Sequence, residues 1–251
     1  MRRAKGAATT DVDLEPVRIA VYMNRQSSPR VIQVPIVHTG GEDVGTFIGS
    51  LVRRVHNLVQ EQGGRMPYEV LRELVENLVH ASFDGVVITI LDKGNMVRIS
   101  DHGPGIPDKK AALRAGFTSA DSSAKQIIRG VGSGLTLVDE MMRAMQGVLE
   151  IADNLGTGTV VTVRVGPATE GTLAPAGPSA YNLTGRQLKA LLLTVELAPV
   201  GPTRIARELG VSTSTAYRDL VRLEEAGLIV SRASGHRSMT EAGLAYVNTL
   251  M

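Results

Sequence analysis

Four short segments constrain this chain more than any bulk property. They are ELVENLVHA at Glu73–Ala81, DHGPG at Asp101–Gly105, GVGSGL at Gly130–Leu135 and GTGTVV at Gly156–Val161. Glycine-rich hexamers are common singly. In this order, separated by alternating helical and strand periodicities, they are hard to produce by accident and point to an α/β fold.

The stretches around them predict that frame. Arg18–Tyr22 and Arg30–Val37 read as two strands joined by MNRQSSP. Val44, Phe47, Ile48, Leu51, Val52, Val55, Leu58 and Val59 recur at three-four spacing, so a helix ends near Gly63 and Gly64. A second helix is expected from Pro67 to Ser82, with Pro67 suited to its first turn. Gly85–Asp92 and Asn95–Ser100 form a hairpin around Lys93 and Gly94. Ile106–Arg129 reads as a loop with one short helix near Lys109–Arg114. A helix over Gly134–Met145 and strands over Gly147–Ile151 and Val160–Val165 complete a two-layer α/β sandwich. The Pro- and Gly-rich run Gly166–Ser179 is a linker. Domains are therefore expected over 1–166 and 181–251, with 167–180 between them.

Residue chemistry narrows the site. Glu73 and Asn77 are four apart, so on a helix they share a face about 6 Å apart. An amide oxygen suits Mg²⁺, which takes few protein ligands beside a triphosphate, and a carboxylate one turn away can activate water. In isolation the pair fits two solvent-facing side chains equally well. Asp101 can accept from an exocyclic amine such as that of adenine, while Gly103 and Gly105 let backbone approach a ring; alone, Asp-x-Gly-x-Gly is also ordinary turn chemistry. Gly130, Val131, Gly132, Ser133, Gly134 and Leu135 open a helix, where backbone N–H groups make an anion site. No Gly-Lys-Ser/Thr follows, so this is no Walker A loop, and no βαβ unit surrounds it.

Together the four segments resemble the GHKL superfamily of gyrase, heat-shock chaperones, histidine kinases and mismatch-repair ATPases, over about Pro67–Val165. That resemblance implies the Bergerat ATP-binding fold, holding Mg²⁺-ATP under a lid at about Ile106–Arg129. It further implies Glu73 as general base, Asn77 as magnesium ligand and Asp101 as adenine contact beside Gly103 and Gly105. Gly130, Gly132 and Gly134 would be the phosphate loop, and Thr159 the threonine near adenine. His80 departs from the family pattern, and with Lys125 and Arg129 it is a candidate phosphate contact. No transducer lysine is recognisable, which leaves turnover open. His56 sits too near the Asn77 helix to serve as a kinase's phospho-accepting histidine.

The last segment has its own punctuation. Thr184 and Gln187 make a capping box, Thr203 is expected to cap the helix IARELG, and Gly210 stops it. Ser212 or Thr213 then opens a helix burying Ala216, Leu220 and Leu223, which is a helix-turn-helix pattern. Leu228–Arg232 and His236–Met239, around Gly235, would form a wing, and Thr240–Leu250 a closing helix. TRIARELGVSTSTAYRDLVRLEEAGLIVSR resembles winged-helix bacterial transcription regulators. The resemblance implies a helix entering the major groove of double-stranded DNA with Ser212, Thr213, Ser214, Thr215, Tyr217 and Arg218, and Arg222 toward phosphate. Arg232, His236 and Arg237 would serve from the wing. From Tyr181 onward, eight Lys and Arg face six Asp and Glu, an excess that permits phosphate contact without requiring it.

Composition excludes several alternatives. The chain has no cysteine, so disulfides and thiolate-zinc sites are absent, and no apolar run nears the roughly 20 residues of a membrane span. Aromatic content of 3% gives no stacking platform for single strands. The expectation is a cytoplasmic, homodimeric, ATP- and Mg²⁺-dependent DNA-binding transcription regulator, sensing ATP or ADP, with slow hydrolysis open. The alternative is a protein-serine kinase of the anti-sigma type that uses the winged helix for docking.

Overall fold

The computed structural model describes residues 15–23, 28–36, 40–114, 134–166 and 181–250. One six-stranded sheet organises the first part of the chain. Its strands are β1 (Val17–Val21), β2 (Arg30–Val34), β3 (Val87–Leu91), β4 (Met96–Ser100), β5 (Val148–Asp153) and β6 (Thr159–Arg164). They lie in the order β2-β1-β3-β4-β6-β5. Every neighbouring pair is antiparallel except β1 and β3, which run parallel with Ile19 opposite Ile88. The N-terminal segment thus extends the sheet.

Three helices cover one face: α1 (Gly40–Glu61), α2 (Tyr68–Glu76) and α4 (Gly134–Ala144), while the short α3 (Lys109–Ala112) lies between β4 and α4 in the chain. The three-four spacing places Leu51, Val55, Val59, Leu71, Val75, Val138 and Met142 against Ile19, Ile88, Ile90, Val97 and Val163, all nearly inaccessible. Complete burial of such side chains is worth about 1.5–3 kcal/mol each. The expected helix to Ser82 instead ends at Glu76 and continues as a 3-10 turn over Asn77–Val79. Ser82 and Phe83 then take φ of 50° and 56°, reversing the chain toward β3. Phe83 anchors that reversal edge-on against Phe47, ring centroids 5.2 Å apart. Asp92–Gly94 makes a 3-10 turn between β3 and β4, with Lys93 at φ 54°.

The winged helix-turn-helix comprises α5 (Gly185–Leu197), α6 (Pro202–Leu209), α7 (Thr213–Glu225), β7 (Ile229–Ser231), β8 (Arg237–Met239) and α8 (Glu241–Leu250). The Thr184–Gln187 capping box forms as the sequence predicts. Gly201 rather than Thr203 caps α6, because Pro202 at the first helical position needs no N–H partner. Gly210, at φ 63°, ends α6, and Ser212 caps α7 by accepting from the Thr215 N–H. Asp219 is buried in this unit and takes a two-pronged pair from Arg186, at 2.5 and 3.2 Å.

The two units are in contact. The second face of the sheet carries the winged helix, so β3 is buried on both sides. Leu91, Met96 and Tyr22 join the apolar cluster of the C-terminal helices. Three outward arginines from three strands clasp helix ends. Arg18 donates to the carbonyls of Glu196 (3.0 Å) and Ala198 (2.8 Å), and Arg164 to that of Asn248 (3.1 Å). Arg98 pairs with the Glu196 carboxylate at 2.8 Å, with side-chain exposures of 11% and 6%. The Tyr22 hydroxyl donates to the Val195 carbonyl at 2.6 Å. Cations at helix C-terminal carbonyls are the favourable arrangement.

Candidate functional site

The first, second and fourth glycine-and-acid segments meet at one end of the sheet. A Cβ built on Gly103 would lie 2.6 Å from the Ala81 Cα, so the DHGPG loop presses bare backbone onto the turn that follows α2. A Cβ on Gly158 would lie 1.9 Å from the Asp101 carbonyl oxygen, which welds the GTGTVV segment to the same loop. These are the close approaches for which only glycine serves.

Asp101, at the end of β4, is buried. One carboxylate oxygen accepts from the N–H groups of Gly103 (2.8 Å) and Thr159 (3.3 Å), leaving the other for an amine donor. Burial pushes its carboxyl above the usual range, and those two backbone bonds pull it partly back. The bond from Asp101 N to Thr159 O (3.0 Å) fixes the pair, so Thr159 stands beside Asp101. Asn154, missed in the sequence, supports the loop by donating to the Asp101 carbonyl at 2.7 Å. Nothing in a lone Asn beside Leu-Gly signals that role.

Glu73 lies on the last turn of α2, and Asn77 follows at its C-terminal cap. Burial, with the Glu76 carboxylate one turn on, pushes the Glu73 carboxyl above its ordinary value. A raised, half-buried carboxyl is suited to take a proton from water. A Cβ at Gly134, the first residue of α4, would lie 2.8 Å from Glu73 Oε2, so the bare start of that helix is against the acid. Gly134 is the one residue of the phosphate-loop candidates, with Leu135, that the described residues include. Leu135 is a core residue. Gly130, Val131, Gly132, Ser133, Lys125 and Arg129 lie outside the described residues, as does the expected lid beyond Arg114. His80 is half-buried at the end of the 3-10 turn. Lys109 is held by Asp153 at 2.5 Å and by the Ile106 carbonyl at 3.3 Å.

Asn77 would offer Mg²⁺ its amide oxygen, leaving the amide nitrogen to donate to a phosphate or water. The Asn77 amide nitrogen is buried without a hydrogen-bond partner, and so are Glu76 Oε2 and Thr136 Oγ1. Groups left this way are costly unless a ligand, ion or water completes them. Among the described residues no cluster of three His, Cys, Asp or Glu could hold a metal ion.

On the winged helix, Ser212, Thr213, Ser214, Tyr217, Arg218 and Arg222 are exposed, and Thr215 is partly so. Tyr217, at 49% exposure, presents a large ring to solvent. Arg222 pairs with Glu225 at 3.2 Å. Arg232 donates to Ser238 (3.0 Å) and to Ser28 before β2, while His236 meets Ser234 at 3.2 Å. Arg237 differs from the expectation of an outward wing residue. It is 6% exposed, donates to the Gly235 carbonyl at 2.7 Å and lies 5.2 Å under the Tyr217 ring. Its position on β8 faces the helices, so it props Tyr217 instead of reaching outward.

Among the described residues no helix is long and apolar enough to cross a membrane. Residues 63–169 match the family described as histidine kinase-, DNA gyrase B-, and HSP90-like ATPase, and residues 186–237 match an HTH domain. The DNA mismatch repair protein MutL of Gemmatimonas aurantiaca is 36% identical over 109 residues, covering 41% of this chain. The match spans 18% of that protein's length. Among solved structures, the DIP2311 protein of Corynebacterium diphtheriae aligns at 15% identity and a TM-score of 0.47, over 93% of this chain and 52% of its own. Full-length ShkA in complex with AMPPNP aligns at 21% identity and a TM-score of 0.29, covering 59% and 35%. The histidine kinase domain of the Erythrobacter litoralis EL346 blue-light activated histidine kinase aligns at 16% and 0.26, covering 53% and 64%.

Proposed function

The chain carries a GHKL-type ATPase domain followed by a helix-turn-helix domain, and on that premise we propose an ATP-responsive DNA-binding regulator. One observation carries the reading: Asp101, the residue that follows β4, belongs to the candidate purine pocket, while Arg98 on β4 makes the buried pair that holds the winged helix. A ligand at one end of that strand therefore bears on the placement of the other unit.

In this reading Asp101 accepts the adenine amine, Asn77 and Glu73 face the triphosphate, and the start of α4 supplies N–H groups to phosphate. Magnesium would neutralise phosphate charge at Asn77. Glu73 holds the proton of an attacking water, which makes slow hydrolysis the natural side activity. The N-terminal end of α7 reads base edges through Ser212, Thr213, Ser214 and Tyr217, with Arg218 and Arg222 at phosphates or bases. A homodimer would place two such helices about one helical turn apart on DNA. The linking boundary falls in 167–180.

The size of any switch is bounded by the difference in ATP affinity between the two states, typically about 1–3 kcal/mol. The test is a titration of duplex DNA with ATP, ADP or a non-hydrolysable analogue at fixed Mg²⁺. A shift in DNA affinity of about fivefold or more with ATP supports the reading; equal affinity in every nucleotide state, in folded protein, refutes it.

A further inference from the structure

Asp101 and His102 are consecutive, yet they serve opposite sides. The Asp101 carboxylate belongs to the candidate purine pocket. The His102 ring lines a cleft of about 480 Å³ between the sheet and the winged helix, shared with Arg18, Asn154, Arg204 and Glu208. Its backbone is tightly registered: His102 N donates to the Asp84 carbonyl (2.9 Å), and its own carbonyl accepts from the Thr157 hydroxyl (3.2 Å). The ring rests on bare backbone at Gly85, where a Cβ would approach Nδ1 to 2.3 Å. A movement of the Asp101 loop is therefore passed to this ring with little slack.

Across the cleft, His102 Nε2 lies 4.0 Å from Glu208 Oε2, on α6. The other Glu208 oxygen makes ion pairs with Arg204 Nε at 2.6 Å and Arg207 Nε at 3.8 Å. Arg204 and Arg207 in turn line a groove with Ser234, Gly235 and His236 of the wing loop. Two guanidiniums beside a wing loop have the chemistry of phosphate contact. Glu208 is the shared anchor of this pair and the neighbour of His102.

We propose that His102 is a positioning residue that couples the purine pocket to DNA-phosphate contact, acting through Glu208 on Arg204 and Arg207. The inference rests on reading Asp101 as the purine acceptor. Seating an adenine amine on Asp101 moves the following residue, changes the His102–Glu208 separation and resets both arginines at the wing groove. Nothing covalent changes.

The test uses the full chain, Mg-ATP, and a labelled random-sequence duplex at low salt, where phosphate contacts dominate. The wild-type ratio of duplex Kd without and with saturating Mg-ATP is expected in the range of about 5–150-fold. His102→Gln and Glu208→Gln should each bring that ratio to within about twofold of unity, while each still binds Mg-ATP by calorimetry. Variants that keep the wild-type ratio overturn the proposal. A second readout is the His102 Cε1–H resonance, assigned by its loss in His102→Gln. It should shift on adding Mg-ATP, and shift less in Glu208→Gln. A stationary resonance despite bound nucleotide overturns the coupling even if DNA affinity responds. If the resonance moves while wild-type duplex affinity stays constant, the regulator reading and the coupling to phosphate contact both fail, whereas a wild-type ratio that responds to Mg-ATP and is kept by both variants overturns the coupling alone. Absence of nucleotide binding removes both.

Discussion

Glu196→Gln removes the charge from one half of an ion pair that joins the sheet to the winged helix. Arg98 Nε and Glu196 Oε1 are 2.8 Å apart, and neither side chain exceeds 11% exposure. The amide keeps the shape but leaves the Arg98 guanidinium buried without a counter-charge. Losing one partner of such a pair costs about 3–5 kcal/mol, whereas replacing both by apolar groups is often neutral. Glu196 also borders the inter-unit cleft, where water can reach it, so the low end of that range, about 3 kcal/mol, is expected. Arg18 and Tyr22 contact backbone carbonyls on the same helix end, and those bonds survive the substitution. The ion pair is thereby isolated as the variable. Urea denaturation followed by far-ultraviolet circular dichroism measures the loss, and a split into two transitions would show the two units unfolding independently. The double variant Arg98→Met with Glu196→Leu should recover to within about 1 kcal/mol of wild type. A Glu196→Gln protein within about 0.5 kcal/mol of wild type, with one unaltered transition, would refute the packing of these helices on the sheet.

Four other outcomes follow from the geometry. Asn77→Ala should abolish Mg²⁺-dependent nucleotide binding in calorimetry without a change in circular dichroism, because the amide has no protein partner to lose through its nitrogen; retained affinity would remove it from the site. Gly134→Ala should lower any hydrolysis rate by about tenfold or more while the fold persists, since its methyl displaces only the Glu73 carboxylate; an unchanged rate in a phosphate-release assay would disconnect Glu73 from catalysis. Asp101→Asn should raise the melting temperature of the ligand-free chain near neutral pH. Burial lifts the folded carboxyl above its unfolded value, so the ionised form costs stability, and that cost fades as pH falls through the raised value. A gain that does not shrink on acidification would contradict this. Arg218→Ala should weaken DNA binding by about 1–3 kcal/mol if it reads a base, or flatten the salt dependence by about one unit if it meets phosphate; no change in either quantity would place it off the interface.

The candidate nucleotide site was legible because its chemistry depends on residue types that few other roles need together. Glycine where a Cβ would strike backbone, as at Gly103 and Gly158, is visible in sequence as an unusual spacing. The helix-turn-helix was legible through caps and stops, with Gly210 and Ser212 acting as read. The packing of one unit on the other was not. Arg18, Arg98 and Arg164 occupy alternate, outward positions on their strands, which is the pattern of solvent-facing residues. A guanidinium clasping the end of a packed helix leaves the same local signature as one in water. The available signal was Val87–Leu91, VITIL, which lacks the polar alternation of a strand covered on one side only. Arg237 misled for a related reason: a basic residue in a wing says nothing of which face of a three-residue strand it occupies. The α2 boundary at Glu76 was lost because ENLVHAS is good helix sequence, and the reversal at Ser82 and Phe83 is imposed by the sheet and by Phe47.

The parallel contact between β1 and β3 sets an order of events during synthesis. The first hairpin leaves the ribosome with nothing beside it, and its partner strand is translated only after α1 and α2, at roughly 5–20 residues per second. Arg18 and Tyr22 wait longer still, until the end of α5 emerges to accept their hydrogen bonds. A nascent chain of this protein therefore carries an unsatisfied strand for seconds, and a fragment starting at residue 63, where the ATPase-family match begins, would lack that strand altogether.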